Sequence, residues 1–199
     1  MQPRPGPMAA MGIVASLACG GLISLLSSLG LVGATIWVQL LLALILFKLY
    51  PETSTVRWSG RLLLLLCGAG VAMAGVWVTL FAWGNTRFVD VGEVGITALA
   101  VGAASAVIAA PIYEEKVVRH VLLMGAAGFV GPIQASVLVS VPFALVHAGS
   151  VIPAFFFSLA LCWAALVLKL SSGQRAVAHG TYNLMNMLWY FTSGYGLFP

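Results

Sequence analysis

Two adjacent carboxylates, Glu114 and Glu115, open the run Glu114-Glu115-Lys116-Val117-Val118-Arg119 in a stretch with almost no other charge. Farther along come Phe143-Ala144-Leu145-Val146-His147 and His179-Gly180-Thr181-Tyr182-Asn183. A carboxylate and an imidazole can hold one water and take its proton. An imidazole beside an amide can donate hydrogen bonds to the oxygen of a tetrahedral intermediate. Ionisable groups at membrane depth are costly to keep, so by default they mark a functional site. Between them, the three segments contain the parts of a hydrolytic centre.

Spacing separates the roles. On a helix, Glu115 and Arg119 stand at i,i+4 and can pair, while Glu114 points about 100° away. Glu115 is then held ionised by Arg119, and Glu114 stays free, desolvated and beside a like charge, as a general base would be. His147 follows Phe143 by four and shares its helix face. Glu114 lies about 17 residues before the turn at Gly131-Pro132 and His147 about 15 after it, so an antiparallel hairpin brings them to one depth. His179 and Asn183, again four apart, share a face as candidate oxyanion donors. Plainer uses exist for each: a structural ion pair with a spare carboxylate, an interfacial histidine, or hydrogen bonds between helices.

The elements that position these groups follow from composition. Of 199 residues, 61% are hydrophobic and 7% charged, whereas soluble domains carry about 25% charged residues. The chain is expected to dissolve in lipid as an all-α, polytopic helical bundle. Its net charge of +4 comes without a basic block, which excludes a nucleic-acid grip and leaves topology and anionic head groups as its partners. Cys19, Cys67 and Cys162 stand far apart in apolar sequence and read as small buried hydrophobes. Ser16-Leu17-Ala18-Cys19 is a poor match to a lipoprotein cleavage site, so this segment is expected to remain as the first span.

Spans are expected at 9–28, 31–49, 62–83, 132–149, 151–169 and 176–193. The apolar stretch 94–130 forms either one long kinked helix or two spans hinged at Pro111, so the total is seven or eight. Polar loops fall at Tyr50–Trp58 and Gly84–Glu93. Residues 1–93 are then N-terminal transmembrane helices and 94–199 the core that carries the chemistry, all within one membrane domain. Lys48, Arg57 and Arg61 place the first loop inside with Arg4, and Lys169 and Arg175 join them only with seven spans.

Glu114-Glu115-x-x-x-Arg119, Phe143-x-x-x-His147 and His179-x-x-x-Asn183, in this order, resemble the CAAX protease and bacteriocin-processing (CPBP or Abi) family, which includes the Ras-converting CAAX endopeptidase. The resemblance covers residues 94–193. It implies an intramembrane peptidase of the glutamic type, without metal or cofactor. In that reading Glu114 activates water with His147, His179 and Asn183 form the oxyanion site, and Glu115, Arg119 and Phe143 support them. The chain departs from the family pattern at Lys116, Val118 and His120, which points to a divergent subgroup, and it also resembles the myxosortases in size and kind.

The implied substrate is a membrane-anchored protein or peptide: a lipidated C-terminus, a C-terminal sorting tag or a leader peptide. The expected location is the bacterial inner (cell) membrane; oligomeric state is not encoded. Two imidazoles and a carboxylate would also suit zinc, so a membrane metallopeptidase is an alternative, although no His-Glu-x-x-His helix is present. A non-enzymatic bacteriocin-immunity or scaffold protein is another, and a small proton path a third.

Overall fold

The computed structural model describes residues 4–52, 54–82, 95–147 and 149–192. Among these residues there are seven helices and no strand. They are α1 (Pro5–Ser28), α2 (Ala34–Leu49), α3 (Gly60–Ala82), α4 (Ile96–Val130), α5 (Pro132–Leu145), α6 (Val151–Leu166) and α7 (Ser172–Thr192). The second polar loop expected at Gly84–Glu93 lies outside the described residues.

Boundaries follow local chemistry. Pro5 and Pro132 occupy the first turns of α1 and α5, where their missing N–H groups need no partner. Ser59 caps α3 by accepting from the Leu62 N–H at 3.1 Å. Gly131, with φ of 85°, supplies the positive-φ turn between α4 and α5.

Three helices, α1, α3 and α4, are long and apolar enough to cross a bilayer. Their outward faces are hydrocarbon: Leu17 is 72% exposed, Leu64 75% and Ile133, on α5, 77%. An apolar surface on this scale marks contact with lipid. α5 and α6 end earlier than the expected 149 and 169, at Leu145 and Leu166. At about 1.5 Å per residue they fall short of the roughly 30 Å hydrocarbon thickness.

Within the stretch 94–130, the described residues Ile96–Val130 form one helix. α4 contains two π-helical turns, Ser105–Ala109 and Val117–Leu122, on either side of the glutamates. Pro111 sits just after the first. Proline has no N–H to give, and in π register the carbonyl it leaves unpaired belongs to Ala106. Asn183 of α7 fills that gap, its Nδ2 donating to the Ala106 oxygen at 2.7 Å. A partner helix repairing a proline defect is the usual solution within a bilayer.

Small residues let α7 come close to its neighbours. A Cβ added at Gly180 would overlap the Val107 carbonyl oxygen of α4, and one at Gly70 of α3 would overlap the Ala178 carbonyl oxygen of α7. Without a hydrophobic force between helices in lipid, such close backbone approach is a main source of association. α1 meets the second half of α4 in the same way, since a Cβ at Gly125 would overlap the Ala9 backbone.

The basic loops meet at one end of the bundle. Ser54 Oγ donates to the Lys169 carbonyl oxygen at 3.2 Å, and Gln174 Nε2 to the Val56 carbonyl oxygen at 2.9 Å. Lys169 therefore lies beside the first polar loop.

Candidate active site

The two glutamates lie on the short α-helical stretch of α4 between its π turns. Glu115 is fully buried, whereas the Glu114 side chain keeps 21% of its exposure. Arg119 approaches Glu115 at 3.3 Å, the expected i,i+4 pair. That contact is electrostatic only: the guanidinium nitrogens have no hydrogen-bond partner among the described residues, and the group lies over the Phe143 ring at 4.1 Å. The aromatic face thus takes part of the charge that water would otherwise solvate.

Two further partners converge on Glu115 from α7. Arg175 Nε donates to Oε2 at 3.1 Å, and His179 Nδ1 to Oε1 at 3.0 Å. The spacing of cations in the sequence assigns Arg175 to a membrane face, and this requires correction. Arg175 is only 2% exposed, because one turn of α7 places it opposite the Glu115 carboxylate. A carboxylate left unpaired at this depth would be far more costly than burying the guanidinium.

The same imidazole touches both acids, so the two carboxylates are less separated than their 100° offset implies. His179 Nε2 lies 3.8 Å from Glu114 Oε2. A carboxylate can only accept, so Nδ1 carries a proton, and Nε2 is the nitrogen left for other chemistry. Phe157 supports the ring edge-on, with centroids 4.9 Å apart, and itself stacks on Tyr182 at 4.1 Å. Phe157 stands in no motif and Tyr182 falls at an unspecified position of the third, so their signal in the sequence is an apolar helical stripe.

His147 sits two residues beyond the end of α5, rather than within a helix reaching 149. It keeps its relation to Phe143: the rings are 4.5 Å apart, and His147 Nδ1 pairs with the Phe143 carbonyl oxygen at 2.7 Å. Because α5 is short, its end stops partway through the bundle. An imidazole following α5 can then meet one lying two turns into α7.

They meet in a cavity of about 160 Å³. Its wall includes His147, Phe143, Phe157, His179, Asn183 and Asn186. At roughly 30 Å³ per water, this is room for several water molecules or a peptide group. The structure thus gathers His147, His179 and Asn183 around one space. Glu114 lies outside that wall and reaches it through its approach to His179. One N–H of the Asn183 amide is taken by Ala106, and the second remains for the cavity. Among the described residues, no three His, Cys, Asp or Glu side chains are grouped to hold a metal ion.

Glu115 and Lys116 are consecutive but face different partners. Lys116, also fully buried, places Nζ 2.8 Å from Glu52 Oε1, on the Tyr50 carbonyl oxygen, and 4.5 Å from the Phe47 ring centroid. Glu52 Oε2 accepts from the Ser172 N–H at 2.7 Å at the start of α7. Burial raises the Glu52 carboxyl, but its bonds to Lys116 and Ser172 outweigh this and hold it below its ordinary value. What the sequence marks only as an unusual lysine is an anchor between α2, α4 and α7.

A helical bundle with apolar outer faces and a buried carboxylate–histidine centre defines a membrane-embedded protein with the groups of a hydrolase. Residues 96–185 match the model of the Type II CAAX prenyl endopeptidase Rce1-like family, so the chain carries a region similar to that family. It is therefore a membrane peptidase, an intramembrane endopeptidase in general terms. Searches of curated proteins and of solved structures gave no match.

Proposed function

We propose that the chain hydrolyses a peptide bond of a membrane-anchored protein or peptide by direct attack of water. Glu114 removes the proton from a water held with His147, and the oxygen attacks the scissile carbonyl. The proton then passes from Glu114 to the leaving amine, which balances the reaction without a covalent intermediate. His179 and Asn183 donate to the oxyanion. Because Nδ1 of His179 donates to Glu115, donation to the oxyanion from Nε2 requires a second proton on the ring.

The observation that carries this reading is the shared cavity of His147, His179 and Asn183, with the Glu114 carboxylate 3.8 Å from His179 Nε2. Exclusion of bulk water from the bundle strengthens each electrostatic contact. Residues 94–199 form the part that carries the chemistry, and residues 1–93 the helices that complete the membrane domain. The substrate classes are a lipidated C-terminus, a C-terminal sorting tag or a leader peptide, and the location is the bacterial cell membrane.

The test compares the termini of membrane proteins, by mass spectrometry, in cells carrying the wild type or Glu114→Gln. Products present with the wild type should disappear with the variant. Equal processing by both proteins would overturn the mechanism. Activity abolished by a chelator and restored by zinc would replace it with metal-assisted hydrolysis.

A further inference from the structure

The apolar chain buries a guanidinium that none of its three motifs contains. Arg175 is hydrogen-bonded on three sides. Nε donates to Glu115 Oε2 at 3.1 Å, Nη2 to Ser172 Oγ at 3.1 Å and to the Glu115 carbonyl oxygen at 3.3 Å, and Nη1 to the Leu170 carbonyl oxygen. Ser172 Oγ in turn donates to the Glu115 carbonyl oxygen at 3.1 Å. Arg175 thus fixes both the backbone and the carboxylate of one residue on another helix.

That carboxylate has one further duty. Its second oxygen, Oε1, accepts from His179 Nδ1 at 3.0 Å. Arg119, the partner expected from the sequence, approaches the same Oε1 at 3.3 Å without a hydrogen bond. So Arg119 supplies charge, whereas Arg175 supplies direction. Which nitrogen of a histidine carries its proton is set by the hydrogen bond made by the other.

We propose that Arg175 is a positioning residue of the hydrolytic centre, orienting Glu115 so that His179 is bound through Nδ1 and presents Nε2 to Glu114 and the cavity. The proposal deepens the reading above and rests on His179 being a site residue. It accounts for the full burial of a residue pair, Arg175 with Ser172, in the first turn of α7, away from the cavity wall. A purely structural guanidinium would have no reason to lie in line with the imidazole.

The experiment uses the full chain in nanodiscs with its three histidines labelled with ¹⁵N. The His179 signals are assigned by their loss in His179→Gln. In the wild type, the His179 Nδ1 resonance should show a bound proton. Arg175→Met, which keeps the stem and removes the donors, should cut the Nδ1-protonated fraction at least twofold, and Arg175→Lys should restore part of it. An unchanged Nδ1 signal in folded Arg175→Met overturns the proposal, as does a wild type protonated on Nε2 alone. If Arg175→Met does not fold, Ser172→Ala provides the test, since it removes one fixing contact and leaves the charge. It should shift the signal the same way by a smaller amount, and no shift overturns the proposal. These readouts need no substrate, so loss of the Glu114 mechanism in the processing assay would remain separable from them.

Discussion

Glu115 and Lys116 are neighbours in the chain, both are fully buried, and both are tied to the first turn of α7, Glu115 directly and Lys116 through Glu52. Their surroundings differ. Glu115 is enclosed by two guanidinium groups and an imidazole, so an excess of positive charge surrounds one carboxylate. Lys116 faces one carboxylate, a carbonyl and an aromatic ring, and its partner Glu52 keeps 11% of its exposure at the bundle end. The first arrangement holds the His179 imidazole; the second fastens a loop. Burial of charge in this bundle therefore serves two ends, distinguished by what the partners go on to touch.

Breaking the first cluster should cost most. Glu115→Gln leaves two buried guanidinium groups facing a neutral amide, and the loss of one partner from a buried ion pair typically costs about 3–5 kcal/mol. Thermal unfolding in detergent should show a large fall in midpoint, or no folded protein. A midpoint within a degree or two of the wild type would erase the distinction between the clusters.

Lys116→Met keeps an apolar stem in place and removes three contacts at the bundle end. Loss of hydrogen bonds to a charged group with some solvent access should cost about 1.5–3 kcal/mol. If processing of substrate survives while stability falls, the two neighbours have the separate roles argued here. Loss of processing at full stability would instead join Lys116 to the site.

Gly180→Ala tests the frame that both clusters depend on. The added methyl group meets the Val107 carbonyl oxygen, so α7 must move away from α4, at about 1–3 kcal/mol for overpacking. Because His179 is the adjacent residue, activity should fall further than the loss of folded protein alone explains.

The smallest effect is that of pH on the Glu52 anchor. Its carboxyl is held below the ordinary value of 4.5, so the folded state binds the proton more weakly than the unfolded state. The stability it contributes is complete above that ordinary value and is lost as pH falls through the lower folded-state value. Unfolding midpoints measured from pH 6 down to 3 should decline more steeply in the wild type than in Glu52→Gln. Parallel curves would remove Glu52 from the account.

Much of the candidate site was legible because the lipid-compatible background makes each polar residue conspicuous. Glu115 with Arg119 followed from helical spacing alone, and so did the common face of His179 and Asn183. The turn expected at Gly131 is present, and His147, beyond the helix that follows it, lines the cavity with His179. Arg175 was missed because a cation near a helix start, read along the chain, is indistinguishable from a topology signal. Asn183 acquired a second task, capping Ala106, that depends on the π turn before Pro111, and single-sequence periodicity does not register an added residue per turn.

By itself, the sequence determined the solvent of this protein, its helical class, its family resemblance and the residue types of its chemistry, since hydropathy and i,i+4 spacing are local properties. Only the tertiary structure decided that one imidazole lies between both acids, that α5 ends early enough for His147 to enter the cavity, and that Arg175 turns inward. Those outcomes depend on which buried charge finds which partner across helices. In a medium without water, that choice is made by the three-dimensional pairing of groups that lie far apart in the chain.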